Sequence, residues 1–205
     1  MSNRSVSQKT RRPAPKRKAG GRGHRGDEIL AAAQNEFLLH GYRRTSIDTI
    51  AQAAGVAKGT VYLYFDSKEA VFRAVSQKLI DFFLVGAREA ANEPGPAAQR
   101  LGAVLLAKFG VVYGMAAESP YGSELVASSE SVSADLYKKG DEQFVEIIAG
   151  VLAREKTLKL DPKDAAWMVF RSAHGCNLTQ RGPVSGAEIR RRLYELAEVM
   201  LAGLT

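Results

Sequence analysis

Residues 46–65 read Ser46-Ile-Asp-Thr-Ile50-Ala-Gln-Ala-Ala-Gly55-Val-Ala-Lys-Gly-Thr60-Val-Tyr-Leu-Tyr-Phe65. Ile47, Ile50, Ala51 and Ala54 recur at helical spacing, and Gly55 breaks the run. A second short helix follows over about 57–64. Small Ala51 and Ala54 let the two helices approach closely, Gly55 supplies the turn conformation, and Val56 and Val61 plug the core between them. This is the pattern of a helix-turn-helix. The second helix opens with Lys58, Gly59 and Thr60, an end slim enough for a DNA major groove, where a short side chain or none lets the backbone come close. Tyr62 and Tyr64 follow, with hydroxyls suited to phosphate oxygens. Thr45 or Ser46 ahead of the first helix, and Lys68 beyond the second, are placed to grip phosphates from either side.

The chain around this stretch reads as all-α. Proline is absent from 16–93 and from 121–161, alanine and leucine are abundant, and no alternating strand pattern is bounded by turn residues. Asp27 caps a first helix with the stripe Ile29, Ala33, Phe37, ending at Gly41. Thr45 or Ser46 caps the next. Ser67, followed by Lys68-Glu69, caps a long helix with the stripe Val71, Val75, Leu79, Phe82, running to about Asn92. The Asn92-Glu-Pro-Gly-Pro96 breaker separates it from helices expected at about 97–117, 122–133, 134–156, 162–180 and 186–203. The last carries the stripe Ile189, Leu193, Leu196, Met200.

Charge divides the 205 residues unevenly. Residues 1–26 hold nine of the 29 Lys and Arg and none of the 22 Asp and Glu, which leaves 20 basic against 22 acidic side chains in the remainder. The basicity behind a pI of about 9.6 therefore belongs to the N-terminal tail. The same stretch carries two prolines, four glycines and almost no apolar side chains, and residues 1–24 are expected to be disordered in isolation. Such a tail is either a solubilising extension or an arm that lies along nucleic-acid phosphates and gains affinity by counterion release. No apolar run approaches the eighteen or so residues of a membrane span, and no apolar stretch follows the basic N-terminus as in a secretory signal, so the expected location is the cytoplasm. The single cysteine, Cys176, cannot form an internal disulfide and is read as a small buried filler.

Ile29-Leu30, Ala33, Phe37, Gly41-Tyr42, Thr45-Ser46, Ile50-Ala51, Ala54-Gly55-Val56, Lys58-Gly59-Thr60, Tyr62, Tyr64-Phe65 and Ser67-Lys68-Glu69 together resemble, in residue type and spacing, the TetR family of bacterial transcriptional regulators. The resemblance covers about residues 25–72. Leu136-Tyr137-Lys138-Lys139-Gly140 resembles the AefR-like branch of that family. The resemblance implies a DNA-binding head over 25–72 and a helical ligand-binding and dimerisation body over 73–205. It implies DNA contacts at Thr45, Ser46, Lys58, Gly59, Thr60, Tyr62, Tyr64 and Lys68. It also implies a homodimer in which the last two helices of each copy form a four-helix bundle, placing Ile189, Leu193, Leu196 and Met200 at the interface. A small-molecule effector bound in the body would then change the separation of the two heads on a double-stranded DNA operator. Two departures stand out: Leu63 occupies a position where many members carry an aromatic residue or arginine, and the basic tail is long for the family. An arm in an adjacent minor groove is one use for that tail.

The aromatic and sulfur side chains Phe82, Phe83, Phe109, Tyr113, Met115, Tyr121, Trp167, Met168 and Phe170 are core candidates that, as a set, suit an apolar ligand cavity. Phe109, Tyr113, Tyr121, Trp167, Phe170, Arg171 and His174 are the expected pocket residues, with Glu118 a further polar candidate. His24, His40 and His174 have no metal-ligand spacing, and Cys176 and His174 do not share a helical face. No nucleophile elbow, phosphate loop or paired carboxylate is present. No catalytic residue, metal or cofactor is therefore assigned, and an enzyme is the weakest of three candidate functions. An architectural DNA-binding protein driven by the tail accounts for the charge but leaves the 46–65 pattern and the large helical body unused. A ligand-responsive dimeric repressor uses all of them.

Overall fold

The computed structural model describes residues 22–175 and 185–205; Cys176, most of the basic tail, the end of the helix expected over 162–180 and the side chain of Glu118 lie outside the described residues. Helices α1 (Arg22–Arg44), α2 (Ile47–Ala53), α3 (Lys58–Tyr62) and α4 (Lys68–Asn92) come first. They are followed by α5 (Ala97–Leu105), a π-helical turn (Leu106–Gly110), α6 (Val111–Glu118), α7 (Gly122–Val132), α8 (Ala134–Leu152), α9 (Pro162–Gly175) and α10 (Gly186–Leu204). The helix expected over 97–117 is thus interrupted by the π-helical turn. No strand occurs among the described residues, so the fold is all-α.

Local chemistry sets the boundaries. Ser46 closes a reciprocal capping box: its Oγ accepts from the Thr49 amide (3.2 Å) while its own amide donates to Thr49 Oγ1 (3.1 Å). Ser67 caps α4 by accepting from Ala70, and Asp161 accepts from the amides of Lys163 and Asp164 at the start of α9. Gly55 takes φ +64 between α2 and α3, a conformation costly for any residue with a Cβ. The first helix departs from the expectation at both ends. It already begins at Arg22, so the end of the expected disordered tail is helical. Asp27 lies inside the helix and pairs with Lys78 of α4 (2.5 Å) instead of capping. At Gly41, φ +78 breaks the helix, which then resumes to Arg44.

Two apolar clusters result. One joins Ile29, Ala33, Phe37, Ile47, Ile50, Ala51, Val61, Val71 and Phe72, with Leu125 and Val132 of α7 packed on its edge. The other joins α4 from Ile80 onward to α5, α8, α9 and α10. Helix α4 runs through both. Its buried stripe is Val71, Phe72, Ser76, Ile80, Phe83, Leu84, Ala87 and Ala91, which drifts round the helix relative to the stripe expected from sequence. Phe82 is consequently 65% exposed and its neighbour Phe83 is buried. Helix α10 also faces its own chain. Ile189 and Leu193 are buried in the second cluster, and Leu196 and Met200 pack against it. Tyr194 lies so close to Gly102 of α5 that a Cβ there would stand 2.7 Å from its ring. Ile189 and Leu193 of the stripe assigned to a partner copy are thus buried within one protomer, while Leu196 and Met200 stay partly exposed.

Candidate nucleic-acid interface and internal cavity

Helix α3 presents its first turn to solvent. Lys58 and Gly59 are exposed, Thr60 is half-buried, and a Cβ built on Gly59 meets nothing within 4 Å. Lys58 pairs with Asp48 of α2 (2.8 Å), and this carboxylate holds the ammonium above its ordinary pKa. Tyr62 is exposed, and Leu63 stands out at 82% exposure. Tyr64 is half-buried, packing on the head cluster, with Gly26 of α1 against its ring.

One expected contact residue, Thr45, is turned inward, and another, Lys68, is half-buried and bonded to backbone carbonyls. Thr45 is 2% exposed, and its hydroxyl donates to the Gly41 carbonyl (2.7 Å), where the glycine break brings that oxygen within reach. Its side chain therefore fastens α1 to α2 and is not presented for phosphate. Lys68 donates to the carbonyls of Tyr42 (3.1 Å) and Arg43 (3.5 Å) and lies over the Tyr42 ring. It gathers the end of α1 against the start of α4. The Tyr42 hydroxyl in turn donates to Glu69 (3.1 Å), and burial, with that carboxylate beside it, pushes the phenol up to about 12.

The far side of the head is held by the body. The Arg43 amide, freed by the break at Gly41, donates to Glu124 Oε1 of α7 (2.8 Å). A Cβ on Gly41 would sit 2.9 Å from that carboxylate and displace it, and φ +78 is itself a conformation that favours glycine. Ser119 donates to the Leu38 carbonyl (2.7 Å), and the Arg44 guanidinium covers the Tyr121 ring. Arg73 of α4 forks onto Asp135 (2.7 and 2.8 Å) and reaches the Val132 carbonyl, which draws the Asp135 carboxyl down to about 2.

Directly behind this joint lies a cavity of about 570 Å³, within the roughly 300–1,000 Å³ typical of small-molecule sites. Leu38 of α1 and Leu125 and Val126 of α7 form the wall nearest the head. Of the expected pocket residues, Phe109, Tyr113, Trp167 and His174 line it. Phe170 does not; it is buried behind Phe109 and Trp167. Tyr121 is also off the wall, beneath Arg44, and Arg171 is exposed beside Trp167. Sequence reasoning misses Lys108 and Asp141. They form a close ion pair at the cavity wall, with Lys108 only 4% exposed. Their one sequence signal is a charge inside otherwise apolar helical stripes.

Comparison with known proteins places this geometry. Residues 29–75, which span α2, α3 and most of α1, match the family model for bacterial regulatory proteins of the tetR family. Residues 29–75 are thus a TetR-family DNA-binding domain. The transcriptional activator FasR of Mycolicibacterium smegmatis is 33% identical over 112 residues, 53% of this chain and 51% of that one, so the match spans about half of that relative. The transcriptional regulator RutR of Escherichia coli is 27% identical over 177 residues, 81% of each chain. The structure of the fatty acid degradation regulator FadR from Bacillus halodurans shares the fold, with a TM-score of 0.68 at 22% identity over 91% of this chain and 98% of that one. This domain and the relatives that share it indicate a DNA-binding, helix-turn-helix transcriptional regulator and not an enzyme. Among its described residues no helix is long and apolar enough to cross a membrane.

Proposed function

We propose that this regulator is a cytoplasmic dimeric repressor that binds a palindromic operator and is released by a small molecule held in the cavity. The observation that carries the reading is the cavity's position. Its wall includes Leu38 of the head and α7, the helix whose Glu124 holds the Arg43 amide. A ligand that displaces α7 alters the seat of α1 and hence the pitch of α3. The free energy required is modest, on the order of 1–3 kcal/mol of coupling between the two sites. Operator contacts are assigned to Ser46, Lys58, Gly59, Thr60, Tyr62 and the Tyr64 hydroxyl. Thr45 and Lys68 position them from behind. Lys58 must exchange Asp48 for phosphate or base on binding. Repression is part of the proposal, since one relative, FasR, is an activator by name.

For the dimer, Ile189 and Leu193 are already buried, so the partner copy is assigned the outward faces of α9 and α10, at whose edge Leu196 and Met200 stay partly exposed. Met168 and Val199 are exposed there, Val199 at 70%. Two-fold symmetry then sets the half-sites about 34–36 Å apart along one DNA face. Capture of sheared genomic DNA by the full chain tests the reading. Enriched fragments should share an inverted repeat of that spacing, bound by two protomers. Fragments with no common sequence, or a single protomer bound per site, would overturn it.

A further inference from the structure

Lys108 sits on the π-helical turn between α5 and α6, a rare local geometry that often accompanies functional sites. Its ammonium lies 4.7–5.6 Å from the ring centres of Phe83, Phe109, Phe144 and Phe170. An ammonium has three N–H donors, and among the described residues the hydrogen bond that Lys108 makes to oxygen is to Asp141. The four ring faces stabilise the charge but accept hydrogen bonds poorly. Burial works against the ammonium and Asp141 supports it, so among the described residues one carboxylate holds this buried charge. Asp141 is the less enclosed partner, and its neighbour one turn back on α8 is Lys138, which also lines the cavity. Asp141 therefore has a second cation within one helical turn. The remaining wall is mainly apolar, and two further carboxylates on it, Glu130 and Glu142, repel a polyanion.

From this arrangement we infer that the cavity takes an amphipathic organic monoanion, whose carboxylate binds Lys108 and displaces Asp141 toward Lys138. The apolar body of the ligand fills the space between Trp167 and the α7 wall. Asp141 is next to Gly140, where a Cβ would stand 2.8 Å from Ile80 of α4, so a shift of this part of α8 is felt directly by the helix that runs into the head. The inference rests on the effector reading above and supplies its ligand class.

Trp167 is the chain's only tryptophan and lines the cavity, so its fluorescence reports occupancy without a label. The full chain is titrated, below micelle-forming concentrations, with decanoate, 1-decanol and decylammonium. Decanoate should bind about tenfold or more tighter than the alcohol, as expected for a charge-assisted hydrogen bond in a dry site, and the ammonium weakest. In Lys108→Met the preference for decanoate should vanish while decanol still binds, which shows the cavity intact. The double variant Lys108→Met/Asp141→Asn, which leaves no stranded carboxylate, should behave likewise. Equal binding of acid and alcohol by the unaltered protein, a preference that survives Lys108→Met, tighter binding of the ammonium, or no response to any of the three would each overturn the inference. Binding of decanoate that depends on Lys108 but leaves operator affinity unchanged would uphold the ligand class and remove the effector reading instead.

Discussion

Gly59, like Gly114, Gly150 and Gly203, is a helical glycine whose identity the protein's own packing does not explain. It lies inside α3 with open space where a Cβ would stand, and a glycine within a helix costs about 0.5–1 kcal/mol relative to alanine. Of these it alone lies on the turn proposed to meet the operator, and that proposal supplies a reason for it. Gly59→Ala should therefore raise the stability of the free protein by up to about 1 kcal/mol in urea unfolding. The same change should lower operator affinity at least tenfold in a titration with labelled DNA. Unchanged affinity would remove Gly59 from the interface. At this scale the sequence is legible where turn chemistry acts alone, as at Gly55 and Ser46. It misleads at Thr45, because a hydroxyl ahead of a helix looks the same whether it faces solvent or a carbonyl. The break at Gly41 sets that orientation, and the break is seated against Glu124, which lies 81 residues along the chain from Arg43. No local pattern reaches that far.

Elements are legible in approximate extent because caps and breakers are local. Which neighbour each apolar face meets is not. A stripe such as Ile189, Leu193, Leu196, Met200 has the same spacing whether it packs on α5 of its own chain or on a second copy. On α4 the adjacent pair Phe82 and Phe83 leaves the facing residue undecided until the phase of the whole helix is known. The link between the π-helical turn and α8 belongs to this scale. Asp141→Asn strands the buried Lys108 ammonium, and breaking such a pair costs about 3 kcal/mol or more. Burial holds the folded-state pKa of Lys108 below its ordinary value of 10.5, so the charged form costs stability below that folded pKa, and the cost is relieved as pH rises through it. Removing Asp141 lowers the folded pKa further. The stability deficit of Asp141→Asn should therefore be largest near pH 7 and shrink toward pH 10, as read by urea unfolding at both. A deficit that is constant or grows with pH would contradict the buried-charge account.

The whole molecule joins a reading head with no excess of basic charge, a helical body containing a cavity, and a basic tail. Residues 27–73 hold five Lys and Arg against six Asp and Glu, so the head gains little from net charge. Operator affinity should then depend steeply on salt in the full chain. Removal of residues 1–21 should flatten the log–log slope by about 0.9 for each phosphate that the tail neutralises, and an unchanged slope would leave the tail as a solubilising extension. The pairing of two copies is tested by Val199→Glu, which places a charge on the outward face of α10. It should yield monomers in sedimentation and at least a hundredfold weaker operator binding with the helical content unchanged. The most direct test of sequence-specific reading by the first turn of α3 is a footprint of the full chain on the DNA upstream of its own gene, with Tyr62→Ala and Lys58→Ala in parallel. A protected inverted repeat that disappears in both variants is the expected result. Uniform protection that persists in the variants and fades only with salt would contradict it and make the tail the principal DNA-binding element.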